Sequence, residues 1–179
     1  MEVFEKKLDG KCVYDGRIIK VEVDDVELPN GKTAKREVVN HNGGVTILAL
    51  TNDDEVVMVS QFRYPYNEEL LELPAGKLEI GENPLEAGKR ELREETGAVA
   101  KEYTDLGLFY PSPGYCNEKI YVYAATGLTF FDQNLDDDEF LNVLKMPYET
   151  VLNMVLSGKI KDGKTQAAIL KYNEIRRRA

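Results

Sequence analysis

The sequence predicts an α/β domain in which a mixed β-sheet is sandwiched between helices, preceded by a small N-terminal antiparallel β-meander. Three observations support this. Residues 1–40 carry only strand patterns, and these are joined by a Gly-containing turn. From residue 41 onward, strand-like segments alternate with helix-like ones. The length of 179 residues suits one compact domain with a small extension. We therefore expect the meander over residues 1–40 and the main domain over residues 41–179.

The strand predictions depend on apolar and β-branched runs bounded by turn residues. The turn Leu-Pro-Asn-Gly-Lys divides the meander, and Asn-Asp-Asp divides two apolar segments that have the composition of buried strands. A later segment, KIYVYAATGL, is rich in aromatic and β-branched residues. The predicted strands are residues 13–28, 33–40, 45–51, 55–64, 103–109 and 119–127, and the predicted helices are residues 84–96, 147–156 and 165–177.

The first predicted helix has clear start and stop signals. Asn83 can cap it, Pro84 suits the first helical position, and Glu86 completes a pattern similar to a capping box. Gly97 is a natural stop. The side of the helix expected to face the core consists of Leu85, Gly88, Leu92 and Thr96.

Three carboxylates crowd one side of this helix. Glu91, Glu94 and Glu95 lie at i, i+3 and i+4, so they share an arc of roughly 100°. Their charges repel one another, and the helix dipole adds to the cost near the C-terminus. Arg90 can pair with Glu94, but one guanidinium does not neutralise three acids. Mg²⁺ and Mn²⁺ prefer oxygen ligands, so the cluster indicates a metal site, the alternative being an acidic solvated helix face.

The segment that contains these acids, GKLEIGENPLEAGKRELREETGA, resembles the Nudix box. That pattern is Gly, five residues, Glu, seven residues, Arg-Glu, an aliphatic residue, any residue, Glu-Glu, any residue, Gly and an aliphatic residue. The resemblance implies the Nudix fold and a metal-dependent hydrolase of diphosphates. Every position of the pattern is filled, by Gly76, Glu82, Arg90, Glu91, Leu92, Glu94, Glu95, Gly97 and Ala98.

The surroundings of the box resemble the ADP-ribose pyrophosphatase branch of that family. Pro113 lies 16 residues beyond Gly97, and REVVNHNGGV, QFRYP and ELPAGK are similar to that branch too. The resemblance implies Mg²⁺-dependent hydrolysis of ADP-ribose to AMP and ribose 5-phosphate, with Mn²⁺ as a substitute. The alternatives are a broader nucleoside diphosphate-sugar or dinucleotide pyrophosphatase, and a domain that senses ADP-ribose without turnover. The complete set of box acids disfavours the sensing alternative.

The resemblance also implies roles for single residues of the metal centre. Glu91 and Glu95 would be the principal metal ligands, Glu94 a further one, and the backbone carbonyl of Ala75 another. Arg90 would orient the carboxylates through charge-assisted contacts, and Glu82 would support them from outside the ligand set.

In the branch that the chain resembles, the general base lies on an acidic loop outside the box. The resemblance therefore points to the acidic segment QNLDDDEFLNV. Alignment of that segment favours Glu139, with Asp137 second and Asp138 as a further candidate. The alternative is that this run of acids is a solvated loop.

Two arginines are the implied ligands of the substrate. Arg36 and Arg63 occupy the REVV and QFR segments, which the family places near the diphosphate and the terminal ribose. The planar fork of Arg suits phosphate oxygens, although an ordinary surface ion pair is the alternative for each. Pro113 and Gly114 are expected to form the wall that faces the terminal ribose.

The adenine requires a flat surface on which to stack, either an aromatic ring or a guanidinium plane. In the meander, Arg17 and Tyr14 are the candidates. In the branch that the chain resembles, the meander is exchanged between subunits. The resemblance therefore implies a homodimer in which each site uses residues of the partner.

Composition limits the remaining classes of function. A net charge of −9 argues against general nucleic-acid binding, which uses basic surfaces. Cys12 and Cys116 are too few for a disulfide framework or a CxxC zinc site, so we expect reduced thiols in a cytoplasmic protein. No signal peptide is recognisable, and no apolar run approaches the ~20 residues that cross a bilayer. The expected partners are a small nucleoside diphosphate sugar and a second copy of the chain.

Overall fold

The computed structural model describes residues 3–135 and 140–178, which form two compact units. The first unit contains the residues up to Gly43 together with the loop Tyr110–Lys119. The second contains Gly44–Phe109 and the residues from Ile120 onward. The sequence analysis did not place this loop in the N-terminal unit, because no local pattern in Tyr110–Lys119 indicates that it pairs with a distant strand.

The first unit is built on the predicted antiparallel meander, with strand order β1-β2-β3. Its strands are β1 (Lys6–Asp15), β2 (Lys20–Glu27) and β3 (Thr33–Asn40). The sequence treated residues 13–28 as one strand pattern, whereas the chain turns at residues 16–19, where the Gly16 N–H donates to the Ile19 carbonyl at 3.0 Å. β1 is exposed along its whole length.

The loop Tyr110–Lys119 pairs with the end of β3. The Val39 N–H donates to the Tyr115 carbonyl at 2.8 Å, and the Asn117 N–H donates to the Val39 carbonyl at 3.1 Å. The Asn117 side chain donates to Asn40 at 2.6 Å and accepts from the His41 N–H at 3.0 Å. These bonds fix the loop to the strand.

The second unit holds the predicted mixed sheet. Its strands are β4 (Gly44–Ala49), β5 (Glu55–Arg63), β6 (Glu68–Glu72), β7 (Ala75–Lys77), β8 (Ala98–Val99), β9 (Glu102–Phe109), β10 (Ile120–Thr126), β11 (Thr129–Phe130) and β12 (Leu141–Pro147). The mixed sheet has the order β7-β4-β10-β9, in which only β4 and β10 are parallel. An antiparallel sheet β12-β5-β6 and the pair β11-β8 accompany it.

Among the described residues, this unit contains three α-helices, α1 (Pro84–Thr96), α2 (Tyr148–Leu156) and α3 (Gly163–Arg178), and a short 3₁₀ helix at Tyr64–Tyr66. The sequence predicted all three with end points that agree within two residues. The predicted strands did not include β6, β7, β8, β11 or β12. Three glutamates mask the strand pattern of β6, and its pairing with β5 overrides the weak propensity of Glu for strands. β12 also pairs with β5. In the described part of the chain, none of the helices combines the length and apolar character needed to span a membrane.

The core lies on both faces of β4, whose residues are all buried. Leu48 belongs to an apolar cluster that includes residues of α2 and α3, whereas Val45 and Ile47 belong to a second cluster that includes residues of α1. Successive side chains of a strand point to opposite faces, which explains this division. The helices therefore cover the sheet from two sides, as the sequence predicted.

Two close approaches position α1. A Cβ on Gly88 would lie 2.6 Å from the Ile47 Cδ1 atom, so the helix rests directly on β4. Gly97 ends the helix in the left-handed region with φ of 71°, and a Cβ there would lie 2.0 Å from the Phe131 carbonyl oxygen. The Phe131 N–H in turn donates to the Gly97 carbonyl at 2.9 Å. The end of α1 is thereby joined to the segment that follows β11.

Replacing Gly97 with Ala is expected to destabilise the fold by about 3 kcal/mol or more, because backbone strain adds to a collision with a carbonyl group. Gly158→Ala is the matched control, since Gly158 has a φ of 74° but open space around the added Cβ. That control is expected to cost about 1 kcal/mol, from strain alone. Urea unfolding of both variants measures the difference, and equal losses would contradict the steric argument.

Candidate active site

The start of α1 follows the sequence prediction except at one residue. The Asn83 side chain caps the helix, accepting from the N–H groups of Leu85 at 3.0 Å and Glu86 at 3.3 Å. The Glu86 carboxylate does not return to the cap. It accepts from Lys89 Nζ at 2.7 Å, because that opposite charge lies one turn along the exposed side of the helix. The sequence pattern similar to a capping box is therefore present, but Glu86 pairs with Lys89 instead.

Two of the box acids are not on a solvated helix face. Glu91 and Glu95 are only 8% and 3% exposed. Glu95 Oε2 accepts from the Ala75 N–H at 3.0 Å, so β7 holds this carboxylate in place. A Cβ on Gly76 would lie 1.9 Å from the Glu91 carboxyl, so only glycine leaves room for that side chain. The two carboxylates lie between α1 and β7, buried far beyond what a surface acidic patch would show.

Arg90 forms ion pairs with three acids of the box. Its Nη1 atom donates to Glu91 at 2.9 Å and to Glu94 at 3.0 Å, and its Nε donates to Glu82 at 3.2 Å. The hydrogen bond that Arg90 donates to Glu82 is the main reason that the pKa of Arg90 is raised, and the same bond lowers the pKa of Glu82. One guanidinium therefore contacts three carboxylates. The helix spacing had predicted only one of these contacts, the i, i+4 pair with Glu94.

Arg63 is paired with a buried acid. Its Nε and Nη2 atoms each donate to Glu72 at 2.7 Å, and Glu72 is 2% exposed. This side-on pairing uses two of the five N–H donors and leaves the Nη1 edge of the guanidinium to other acceptors. The charge of Arg63 also interacts with Glu95. The structure thus brings Arg63 into the electrostatic field of the box acids, by way of a partner that sequence reasoning missed.

Glu72 is held in its charged form. Burial raises the pKa of its carboxyl, but the hydrogen bond from Arg63 and the charge of Lys164 outweigh that effect, so the pKa lies below its ordinary value. The only sequence signal for Glu72 is an acid placed between apolar residues in LELPAG. That pattern alone does not distinguish a buried ion pair from the edge of a strand.

Three of the substrate-binding candidates meet in the first unit. Arg36, Pro113 and Gly114 line one cavity of about 370 Å³. The Arg36 guanidinium donates to Glu5 from Nε at 2.9 Å and from Nη2 at 2.6 Å. Arg17 is not among the lining residues, since it lies exposed in the turn between β1 and β2. Other lining residues include Tyr110, Tyr115, Cys116 and Lys119.

The predicted base residues, Glu139, Asp137 and Asp138, lie outside the described residues. The segment that leads to them is attached to the end of α1. The Asn134 N–H donates to the Glu94 carbonyl at 3.0 Å, and the Gln133 side chain donates to the Glu95 carbonyl. Gln133 and Asn134 are therefore fixed to the last turn of α1.

The donor set of the box suits a hard divalent cation, because Glu91, Glu94 and Glu95 offer only oxygen atoms. In the present side-chain arrangement, no three His, Cys, Asp or Glu side chains within residues 3–135 and 140–178 are grouped closely enough to hold a metal. Arg90 engages both Glu91 and Glu94.

Comparison with known proteins agrees with the fold and the acid helix. Residues 40–167 match the NUDIX domain, and residues 5–39 match the nucleoside diphosphate sugar hydrolase N-terminal domain. A crystal structure of an ADP compounds hydrolase superposes with a TM-score of 0.85 at 24% identity, covering 95% of this chain and 92% of the other. The chain belongs to the Nudix family and is a Nudix hydrolase.

Several relatives are similar over most of their length. ADP-ribose pyrophosphatase of Bacillus subtilis is 44% identical over 167 residues, which cover 92% of this chain and 90% of the relative. A methanol dehydrogenase activator of Bacillus methanolicus is 42% identical over the same lengths. A GDP-mannose pyrophosphatase of Yersinia pestis is 36% identical over 152 residues, covering 78% of this chain and 75% of the relative.

The lowered pKa of Glu72 predicts a component of stability that depends on pH. A carboxyl whose pKa is depressed on folding stabilises the fold fully above its unfolded pKa, and this contribution is lost as the pH falls through the folded pKa. The ordinary value is 4.5, so the loss begins below that pH. Glu72→Gln is expected to cost about 3–5 kcal/mol at neutral pH, because it leaves buried cations without their anion.

Urea unfolding at a series of pH values tests this. The gap between wild type and Glu72→Gln should narrow once the pH falls below the unfolded pKa. Glu69→Gln, at an exposed position on the same strand, is the control and should follow the wild type. A gap that stays constant down to acid pH would contradict the assignment.

Proposed function

We propose that this Nudix hydrolase cleaves the diphosphate of ADP-ribose to AMP and ribose 5-phosphate with Mg²⁺ as its cofactor. The observation that carries the proposal is the buried pair Glu91 and Glu95, held beside Arg90 between α1 and β7. Its substrate is supported by the similarity to ADP-ribose pyrophosphatase, which extends over 92% of the chain and so includes both units.

The side chains of α1 and the backbone of β7 would hold the metal. The proposed ligands are Glu91, Glu94 and Glu95 with the carbonyl of Ala75, and Mn²⁺ is a chemically similar substitute. When bound, the ion neutralises charge on the phosphate oxygens and lowers the pKa of a coordinated water. Arg90 keeps two of the carboxylates aligned, and the Ala75 N–H keeps Glu95 in place. These contacts reduce the reorganisation that binding requires.

The reaction also needs a base that takes the proton of the attacking water. We assign this to Glu139 first and Asp137 second, in the acidic segment QNLDDDEFLNV. The support is the pair of hydrogen bonds from Gln133 and Asn134, the first two residues of that segment, to the Glu95 and Glu94 carbonyls at the end of α1. No covalent nucleophile is needed for this chemistry.

Substrate binding is assigned to the two arginines and to the cavity of the first unit. Arg63 has an edge of its guanidinium left after pairing with Glu72, and that edge suits a phosphate. Arg36 lies in the lining of the cavity together with Pro113 and Gly114, where exposed tyrosine rings offer flat surfaces to a purine. Arg17 remains a candidate for contact with the adenine.

A second function is favoured by a specific observation. The similarity to GDP-mannose pyrophosphatases raises a broader nucleoside diphosphate-sugar or dinucleotide pyrophosphatase as the alternative. The same acid helix serves any diphosphate, so selectivity depends on what surrounds it. A domain that binds ADP-ribose without turnover is the third hypothesis, and the complete set of box acids disfavours it.

A substrate panel tests the assignment. With Mg²⁺ present, kcat/KM for ADP-ribose is expected to exceed that for ADP-glucose, GDP-mannose, NADH and FAD by about tenfold or more, since a cavity matched to one substrate leaves polar groups unpaired with the others. Comparable values across the panel would favour the broader enzyme. Absence of turnover for every compound would favour the sensing domain.

Glu95→Gln separates the chemistry from the fold in this assay. The amide oxygen of Gln still accepts from the Ala75 N–H, but the negative charge is lost, so kcat is expected to fall by about a hundredfold or more. Glu86→Gln changes an exposed acid on the same helix and is the matched control. Full activity of Glu95→Gln in excess Mg²⁺ would contradict its role as a ligand.

A homodimer is part of the proposal. β1 is exposed from end to end and presents Leu8, Val13 and Tyr14 to solvent, which are apolar side chains suited to an interface with a second copy. Light scattering is expected to give twice the chain mass of 20.2 kDa. Val13→Lys should weaken the dimer, whereas Lys11→Gln on the same strand should not. A monomeric wild type would refute this.

The proposed location is the cytoplasm. Cys12 and Cys116 are free thiols, which is typical of a reducing compartment. A net charge of −9 suits a small-molecule enzyme better than a protein that binds nucleic acid.

A further inference from the structure

Lys164 occupies an unusual position for a lysine. It lies in the first turn of α3, outside the Nudix box, and its side chain is only 11% exposed. Its Nζ atom contacts Glu72 Oε2 and lies 3.0 Å from Asp162 Oδ1. Glu72 Oε2 is the same oxygen that accepts from Arg63 Nη2. One carboxylate oxygen therefore bridges the ammonium of Lys164 and the guanidinium of Arg63.

The start of α3 holds Lys164 in place. Asp162 Oδ2 accepts from the Thr165 N–H at 2.9 Å and from the Thr165 hydroxyl at 2.6 Å. The same hydroxyl oxygen accepts from the Leu73 N–H at 2.9 Å. Leu73 directly follows Glu72, so α3 is tied to the strand end that carries the bridging acid. Thr165 is fully buried, and this arrangement keeps the lysine next to Glu72.

We propose that Lys164 is a positioning residue for the reaction, which acts through Glu72 to hold Arg63 with its unused edge presented to the diphosphate of the substrate. The inference rests on the proposed function, because it requires a substrate that carries phosphate groups. It gives α3 a role in substrate binding, although Lys164 lies neither in the box nor in the lining of the first unit's cavity.

Charge balance is the physical reason. Two cations, Arg63 and Lys164, face two anions, Glu72 and Asp162, in a largely buried site. Without Lys164, Arg63 would be the only cation near both anions, and these would neutralise more of its positive charge. Arg63 would then attract a phosphate less strongly and would be held in a less fixed orientation. Substrate binding, rather than the chemical step, should therefore weaken.

Lys164→Met tests this, since Met keeps most of the apolar stem and removes the charge. KM for ADP-ribose is expected to rise about tenfold while kcat stays within about threefold, the pattern of a lost binding interaction. Lys164→Arg restores the cation and should bring KM back to within about threefold of wild type.

The chain offers a matched control. Lys161 Nζ lies 2.5 Å from Glu68 Oε1, so this pair joins the approach to α3 with β6, as Lys164 and Glu72 do. Both of its side chains are far more exposed than Lys164. Lys161→Met should change KM by no more than about twofold, because exposed pairs contribute little. An equal rise of KM in both variants would overturn the proposal.

A double-mutant cycle with Arg63→Ala tests the route through Arg63. If Lys164 acts through that residue, adding Lys164→Met to Arg63→Ala should raise KM by no more than about twofold further. Independent, multiplying effects would show that Lys164 acts elsewhere, and would overturn the proposal.

The outcomes separate this inference from the proposed function. A wild type that does not turn over ADP-ribose refutes the function, and the inference falls with it. A wild type that does turn it over, with an unchanged KM in Lys164→Met, refutes the inference alone.

Thermal unfolding monitors the fold of each variant. If Lys164→Met does not fold, Lys164→Gln keeps an N–H donor to Glu72 and carries the same expected rise in KM. If neither folds, Lys164 is a stability residue and the proposal is overturned.

Discussion

Burial of carboxylates is the constraint on which the second unit depends. Glu72, Glu91 and Glu95 are each less than a tenth exposed, and an uncompensated buried charge costs several kcal/mol. The compensation comes from two guanidiniums and a lysine that belong to different elements: Arg90 on α1, Arg63 on β5 and Lys164 on α3. The acids therefore link the helices and strands of this unit into one electrostatic arrangement. The same contacts that stabilise the fold also hold the box acids and Arg63 in place.

The position of β4 makes that arrangement feasible. Because its side chains alternate between the two apolar clusters, α1 packs on one face of the mixed sheet while α2 and α3 pack on the other. The Pro74 carbonyl accepts from the Ile47 N–H at 2.9 Å and from the Thr46 hydroxyl at 3.1 Å. The segment between β6 and β7 is therefore fixed to β4, with Glu72 just before it and the Ala75 N–H just after. This short segment therefore connects Glu72 to the backbone N–H that holds Glu95.

Sequence reasoning was most successful where local signals and tertiary demands agree. The helix at residues 84–96 was predicted with its cap and its stop because Asn83, Pro84 and Gly97 act locally. Burial of Glu91 and Glu95 could not be deduced from helical periodicity, which indicates a shared side of the helix but not what covers it. Lys164 and Glu72 lie far apart along the chain, so their contact leaves no periodic signal. The attachment of the loop Tyr110–Lys119 to β3 was missed for the same reason.

The glycines of the box show that its pattern encodes packing as well as chemistry. A Cβ on Gly76 would occupy the place of the Glu91 carboxyl, and a Cβ on Gly97 would collide with the Phe131 carbonyl. The first glycine thus gives the Glu91 carboxyl its space, and the second lets the chain that leads to the acidic segment return to the end of α1. Fixed spacing between these glycines and the acids follows from geometry. In this chain the two glycines of the box therefore provide the steric conditions under which its carboxylates come together.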